Sequence, residues 1–178
     1  MESLKIITDR LIITELDESM AEVVHLNSLD EDNRRFVPDE VFETVQEALD
    51  TINFLTGCYE NMDGPLVYAV LLKNGDNIGY VQAVPIDNGW EIGYHIASNY
   101  TRNGYATEAV KAFLPIIMKR LDIERIWGIC HGDNMASRRV LEKCSFNLVD
   151  KYVGDYKGEN CDICKYVYEN MGSEDENK

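Results

Sequence analysis

Between Tyr94 and Leu121 the chain reads YHIASNYTRNGYATEAVKAFLPIIMKRL, a strand that runs through a small-residue turn straight into an amphipathic helix. Few patterns narrow the choice of fold as much. The turn is Thr101-Arg102-Asn103-Gly104-Tyr105-Ala106, and after it apolar residues recur at Ala106, Ala109, Val110, Phe113, Leu114, Ile117, Met118 and Leu121. That spacing builds one helical face. The first turn of such a helix leaves backbone N–H groups without intrahelical partners and carries the positive end of the peptide dipoles, so it can cradle an anion. Gly104 permits positive φ, or close approach of a ligand to bare backbone. A phosphate-bearing cofactor is one reading of this turn, and an ordinary strand-to-helix connection is the other. Pro115 removes the N–H that would reach Lys111, so a kink is expected, with the apolar spacing continuing past it.

The remaining pattern supplies layers around this unit. Lys5 to Leu16 predicts a first strand or a bent strand pair, and a helix is expected from about Met20 to Leu29. The charged stretch 30–38, closed by Pro38, predicts a surface loop, and 44–58 a second helix. Apolar runs at 66–72, 78–84 and 90–96, separated by the turn signals Asn74-Gly75-Asp76-Asn77 and Asp87-Asn88-Gly89, form an antiparallel meander that feeds the turn. A short buried strand is expected at 126–130. Then Gly132-Asp133-Asn134 opens a helix over 135–144, and two strands, 147–153 and 162–168, flank a polar loop at 154–160. The acidic tail, 171–178, reads as disordered.

A chain of 178 residues with 45% hydrophobic content suits one domain, here 1–170, of α/β (α+β) class. No apolar run reaches bilayer length, and the N-terminal MESLKIITDR lacks signal-peptide form, so a cytoplasmic protein without membrane contact is expected. The net charge of −15 repels phosphate backbones, which argues against nucleic acid as a partner and suits amines or basic peptides. Five cysteines are an odd number for a disulfide framework. Cys161 and Cys164 fall in a strand, where residues three apart face opposite ways, so no metal site is expected.

With Gly104-Tyr105-Ala106-Thr107-Glu108-Ala109 and Asn134-x-x-Ser137-x-x-Val140-Leu141-Glu142-Lys143-Cys144-x-Phe146 in this order, the chain resembles the GNAT superfamily of acyl-CoA N-acyltransferases. More narrowly it resembles the ribosomal-protein N-terminal acetyltransferase branch. Thr8-Asp9-Arg10-Leu11 through Leu16, the strand Glu91-Ile92-Gly93-Tyr94, and Gly158 with Asp162 carry that likeness. The resemblance implies a mixed, twisted sheet of about seven strands with about four helices, and a V-shaped splay between the strands near Glu91 and Ile126. Acetyl-CoA, the co-substrate, would run its pantetheine arm along Tyr94, His95 and Ile96. Its pyrophosphate would sit on the N–H groups of Arg102, Asn103, Gly104, Tyr105, Ala106 and Thr107. The family places Gln or Arg where this chain has Thr101, with Arg102 beside it to restore a cation, and Gly where it has Ser145.

Such chemistry is direct transfer to a neutral amine. An α-amino group of pKa near 8 is roughly a tenth neutral at pH 7, far more than a lysine side chain, so a protein or peptide N-terminus is the simplest acceptor. Small amines, such as polyamines or aminoglycosides, and a degenerate coenzyme-binding module are the alternatives. Strand alternation puts Glu91, Gly93 and His95 on one face. Glu91 is the first candidate for general base, and His95 the second. Ser137 replaces the tyrosine that many relatives carry on the following helix, and Asn134 either contacts the cofactor or merely caps that helix. An exposed edge strand offers a route to a homodimer.

Overall fold

The computed structural model describes residues 2–171. In chain order the strands are β1 (Lys5–Ile7), β2 (Leu11–Glu15), β3 (Leu66–Leu72), β4 (Asn77–Ile86), β5 (Gly89–Ile96), β6 (Arg125–His131), β7 (Asn147–Tyr156) and β8 (Glu159–Glu169). The helices are α1 (Ala21–Ser28), α2 (Glu31–Phe36), α3 (Val45–Asn61), α4 (Tyr105–Leu121) and α5 (Met135–Lys143). All eight strands join one sheet in the order β1-β2-β3-β4-β5-β6-β8-β7.

Helices cover both faces. On one, Val110, Phe113, Leu114 and Ile117 of α4 pack with Leu11, Ile13, Tyr68, Val70, Val81, Ile92 and Ile126. On the other, Ile52 and Leu55 of α3 and Ala21 of α1 pack with Leu16, Val67 and Ala69. Strand β3 alternates between the two cores, which is why its sequence is a continuous apolar run. Thr44 caps α3, its hydroxyl accepting from the N–H of Glu47 at 3.1 Å.

Every neighbouring strand pair is antiparallel except β5 and β6, which run parallel and register only at Glu91 and Trp127. Beyond that contact the strands diverge, and the splay opens the sheet at its centre.

The bent pair expected at the start is two strands reversing at Thr8–Arg10, so the described residues form a sheet of eight strands, in keeping with the expected mixed sheet of about seven. Two expectations are corrected. The stretch expected as a surface loop at 30–38 contains α2, one of five α-helices among the described residues, followed by a 3-10 turn, Pro38–Glu40. At six residues α2 is too short to show periodicity, yet it buries Asn33 and Phe36. The polar loop expected at 154–160 is mostly strand, because β7 and β8 close through a two-residue turn with Lys157 (φ 55°) and Gly158 (φ 85°) both left-handed. Helix α4 runs unbroken through Pro115. The expected tail lies, Met171 apart, outside the described residues.

Candidate active site

The splay between β5 and β6 opens into a cleft of about 770 Å³, bounded by α5 on one side and by α2 and the 38–40 turn on the other. At its entrance lies the turn from β5 into α4. Arg102 (φ 65°) and Gly104 (φ 79°) are left-handed, and residues 101–104 are exposed. Gly104 offers no side-chain cap, and the first intrahelical bond runs from the Glu108 N–H to the Gly104 carbonyl at 3.0 Å. The amides of Tyr105, Ala106 and Thr107 are thus free of helical acceptors at the positive end of a 17-residue helix. A left-handed non-glycine residue such as Arg102 costs on the order of 1–2 kcal/mol.

Glu91 sits where β5 and β6 begin to part. Burial raises its carboxyl to about 7, and Glu40 and Asp39 add to the rise against the opposing pull of Lys157 and an amide hydrogen bond from Ile129. It is therefore poised to accept a proton near neutral pH. On the same face Gln82 crosses β5 at Gly93, where a Cβ would stand 2.6 Å from the Gln82 amide nitrogen. That nitrogen donates to Glu40 at 3.0 Å, and the Tyr80 hydroxyl donates to the same carboxylate. Lys157 pairs with Asp39 at 2.7 Å, pinning the β7–β8 turn onto the 38–40 turn.

Across the cleft, Ser137 lies one turn into α5. Asn134 accepts from the Ser137 N–H at 3.2 Å, so the capping role of Asn134 is present. The phenol of Tyr94 reaches over from β5 to the Ser137 carbonyl (2.8 Å) and hydroxyl (2.9 Å). Burial pushes the Tyr94 phenol above its ordinary range, keeping it a neutral donor. Cys130, in the same wall, is raised to about 12 by burial and is a poor nucleophile.

Of the residues singled out from sequence, Glu91, Tyr94, His95, Ile96, Ala106, Asn134 and Ser137 line one cleft, and Arg102 to Tyr105 and Thr107 lie beside Ala106 in the turn and first turn of α4. His95 is also engaged by a carboxylate. Its Nε2 lies 3.1 Å from Asp30, which also accepts from the Ser98 N–H at 2.8 Å and hydroxyl at 3.0 Å, so the imidazole is tied to the start of α2. Sequence reasoning missed Glu40, Tyr80, Gln82 and Lys157, which meet only through tertiary folding, and the side chain of Tyr94, considered only for its backbone.

The acetyltransferase (GNAT) domain profile matches residues 10–147. The chain belongs to the GNAT acetyltransferase family. The uncharacterized N-acetyltransferase YnaD of Bacillus subtilis (strain 168) is 30% identical over 141 residues, 78% of this chain and 79% of that protein. Among solved GNAT structures, an acetyltransferase from Bacillus anthracis superposes with TM-score 0.81 at 24% identity, covering 94% of this chain and 99% of its own. RimL, the ribosomal L7/L12 α-N-protein acetyltransferase solved in complex with coenzyme A, gives TM-score 0.81 at 19% identity over 93% and 98%. This GNAT chain thus shares its overall fold with both structures. No helix among its described residues is long and apolar enough to cross a membrane.

Proposed function

We propose that the protein transfers the acetyl group of acetyl-CoA directly to a primary amine, a protein or peptide N-terminus foremost. The observation that carries this reading is a single cleft lined both by a carboxyl raised to about 7, Glu91 of β5, and by the Ser137 hydroxyl of α5, which is bonded to the Tyr94 phenol. In this reading the amides of Tyr105 to Thr107 hold the coenzyme diphosphate, and the unpaired edge of β5 over Tyr94, His95 and Ile96 orients the pantetheine arm. Acetyl-CoA supplies an activated thioester.

Glu91 takes a proton from the ammonium form of the acceptor, directly or through one water, and leaves a nucleophilic amine. The new N–C bond forms as the C–S bond breaks, and the surplus proton on the acylated nitrogen passes through solvent to the thiolate. Ser137 donates a hydrogen bond to the departing thiolate, which needs little acid help because a thiol titrates near 8.5. The Tyr94 phenol donates to Ser137 and fixes its rotamer.

A second reading, a small polycationic amine as acceptor, draws on the acidic lining of the cleft by Asp39, Glu40 and Glu91. Two measurements test the proposal. Saturating acetyl-CoA raises the melting temperature, because it binds the folded state selectively. Thiol release is then compared across N-terminal peptides, polyamines and aminoglycosides. Absence of a melting shift sinks the reading, and release with polyamines alone selects the second one.

A further inference from the structure

Arg10 belongs to the Thr8-Asp9-Arg10-Leu11 motif, which the chemistry above leaves without a task. It lies in the reversal between β1 and β2, and its guanidinium reaches the α4 entrance 93 residues later in sequence. Its Nη1 donates to the Asn103 carbonyl at 2.8 Å, its Nε to the Glu108 carboxylate at 2.7 Å, and it stacks 4.5 Å above the Tyr105 ring. Glu108 also accepts from the Arg10 N–H at 3.1 Å and the Thr8 hydroxyl at 2.8 Å.

The placement of Glu108 poses an electrostatic problem. It is a carboxylate in the first turn of α4, within a turn of the amides that would hold a diphosphate. Left free, it competes for those amides and repels the ligand. Burial alone would raise its pKa, yet the bonds from Thr8 and Arg10 outweigh burial and hold it below the ordinary range, so it stays charged.

We infer that Arg10 is a positioning residue for the coenzyme: it draws the Glu108 carboxylate aside and cancels its charge. The phosphate entrance is thereby left open and net positive. The inference rests on the proposal that acetyl-CoA binds at the α4 N-terminus.

The test measures acetyl-CoA affinity by calorimetry for wild type, R10A, R10Q, E108Q and R10A/E108Q, with steady-state kinetics beside it. R10A is expected to weaken affinity about tenfold or more, to raise KM for acetyl-CoA in step, and to leave kcat at saturation within about twofold. R10Q keeps a donor for the Asn103 carbonyl but drops the charge, and it is expected to bind as weakly as R10A, which preserves the test should R10A misfold. In R10A/E108Q the offending carboxylate is gone, so affinity returns to within about threefold of wild type. A role confined to holding the loop predicts the opposite, a double variant no better than R10A, and that result overturns the inference. Unchanged affinity in both R10A and R10Q overturns it as well. A wild-type protein that binds no acetyl-CoA overturns the functional proposal and the inference together.

Discussion

Glu91 shows how one residue can be costly for stability and useful for chemistry. Because its carboxyl is raised from 4.5 to about 7, the native state holds a proton that the unfolded state releases earlier. The stability it contributes is full below about 4.5 and is lost as pH rises to about 7, by at most about 3 kcal/mol. E91Q therefore melts higher than wild type at pH 8, with the gap closing toward pH 4.5, as a calorimetric pH series will read. The same variant lowers turnover about 10²-fold or more and removes the limb of kcat/KM that rises through pH 7, while acetyl-CoA affinity holds. Turnover equal to wild type at every pH discards Glu91 as the base. S137A costs less, about tenfold, since the thiolate leaves with little help. Glu91 was readable as a candidate because alternation fixed its face. Its raised pKa was not readable, since it comes first from burial in the folded sheet and then from Glu40 and Asp39, about fifty residues upstream.

At the scale of the element, the end of α5 is instructive. The Phe146 N–H bonds to the Leu141 carbonyl at 3.0 Å and the Ser145 N–H to that of Glu142 at 3.1 Å, the paired bonds of a Schellman cap. The residue between the helix and Phe146 must be left-handed, and Ser145 sits there at φ 67°. Phe146 and Leu141, both buried in the main core, compel that geometry. Ser145→Gly is expected to raise unfolding free energy by about 1 kcal/mol in urea melts, without changing the slope with denaturant. A neutral or destabilising result shows that the loss of a side chain there outweighs the relieved strain. Cap, turn and apolar spacing made α3, α4 and α5 legible. Helix α2 was not, because five charged and polar residues with one phenylalanine carry no period, and its order comes from burying Phe36 against His131 and pairing Arg34 with Glu43.

For the whole molecule, a net charge of −15 and an acidic cleft lining make the field act on any amine that approaches. Raising ionic strength from about 0.05 to about 0.5 M should raise KM more for acceptors with a second cationic group than for monoamines, because the Debye length shrinks from more than ten ångströms to a few. Equal salt responses, read by initial-rate thiol release, remove steering from the account. Folding also brings Lys157 to Asp39 and Arg10 to Glu108 across 118 and 98 residues, tying the β7–β8 turn to the 38–40 turn and the β1–β2 reversal to the start of α4. Local chemistry was written in the chain: the αL glycine before a long amphipathic helix, the Asn134 cap, the strand that carries Glu91. These depend on φ/ψ limits, periodicity and neighbouring hydrogen bonds, which act within a few residues. The separation of β5 from β6, the charge environment of Glu91 and the bond from Tyr94 to Ser137 depend on distances between segments far apart in sequence, and only the packed sheet sets those.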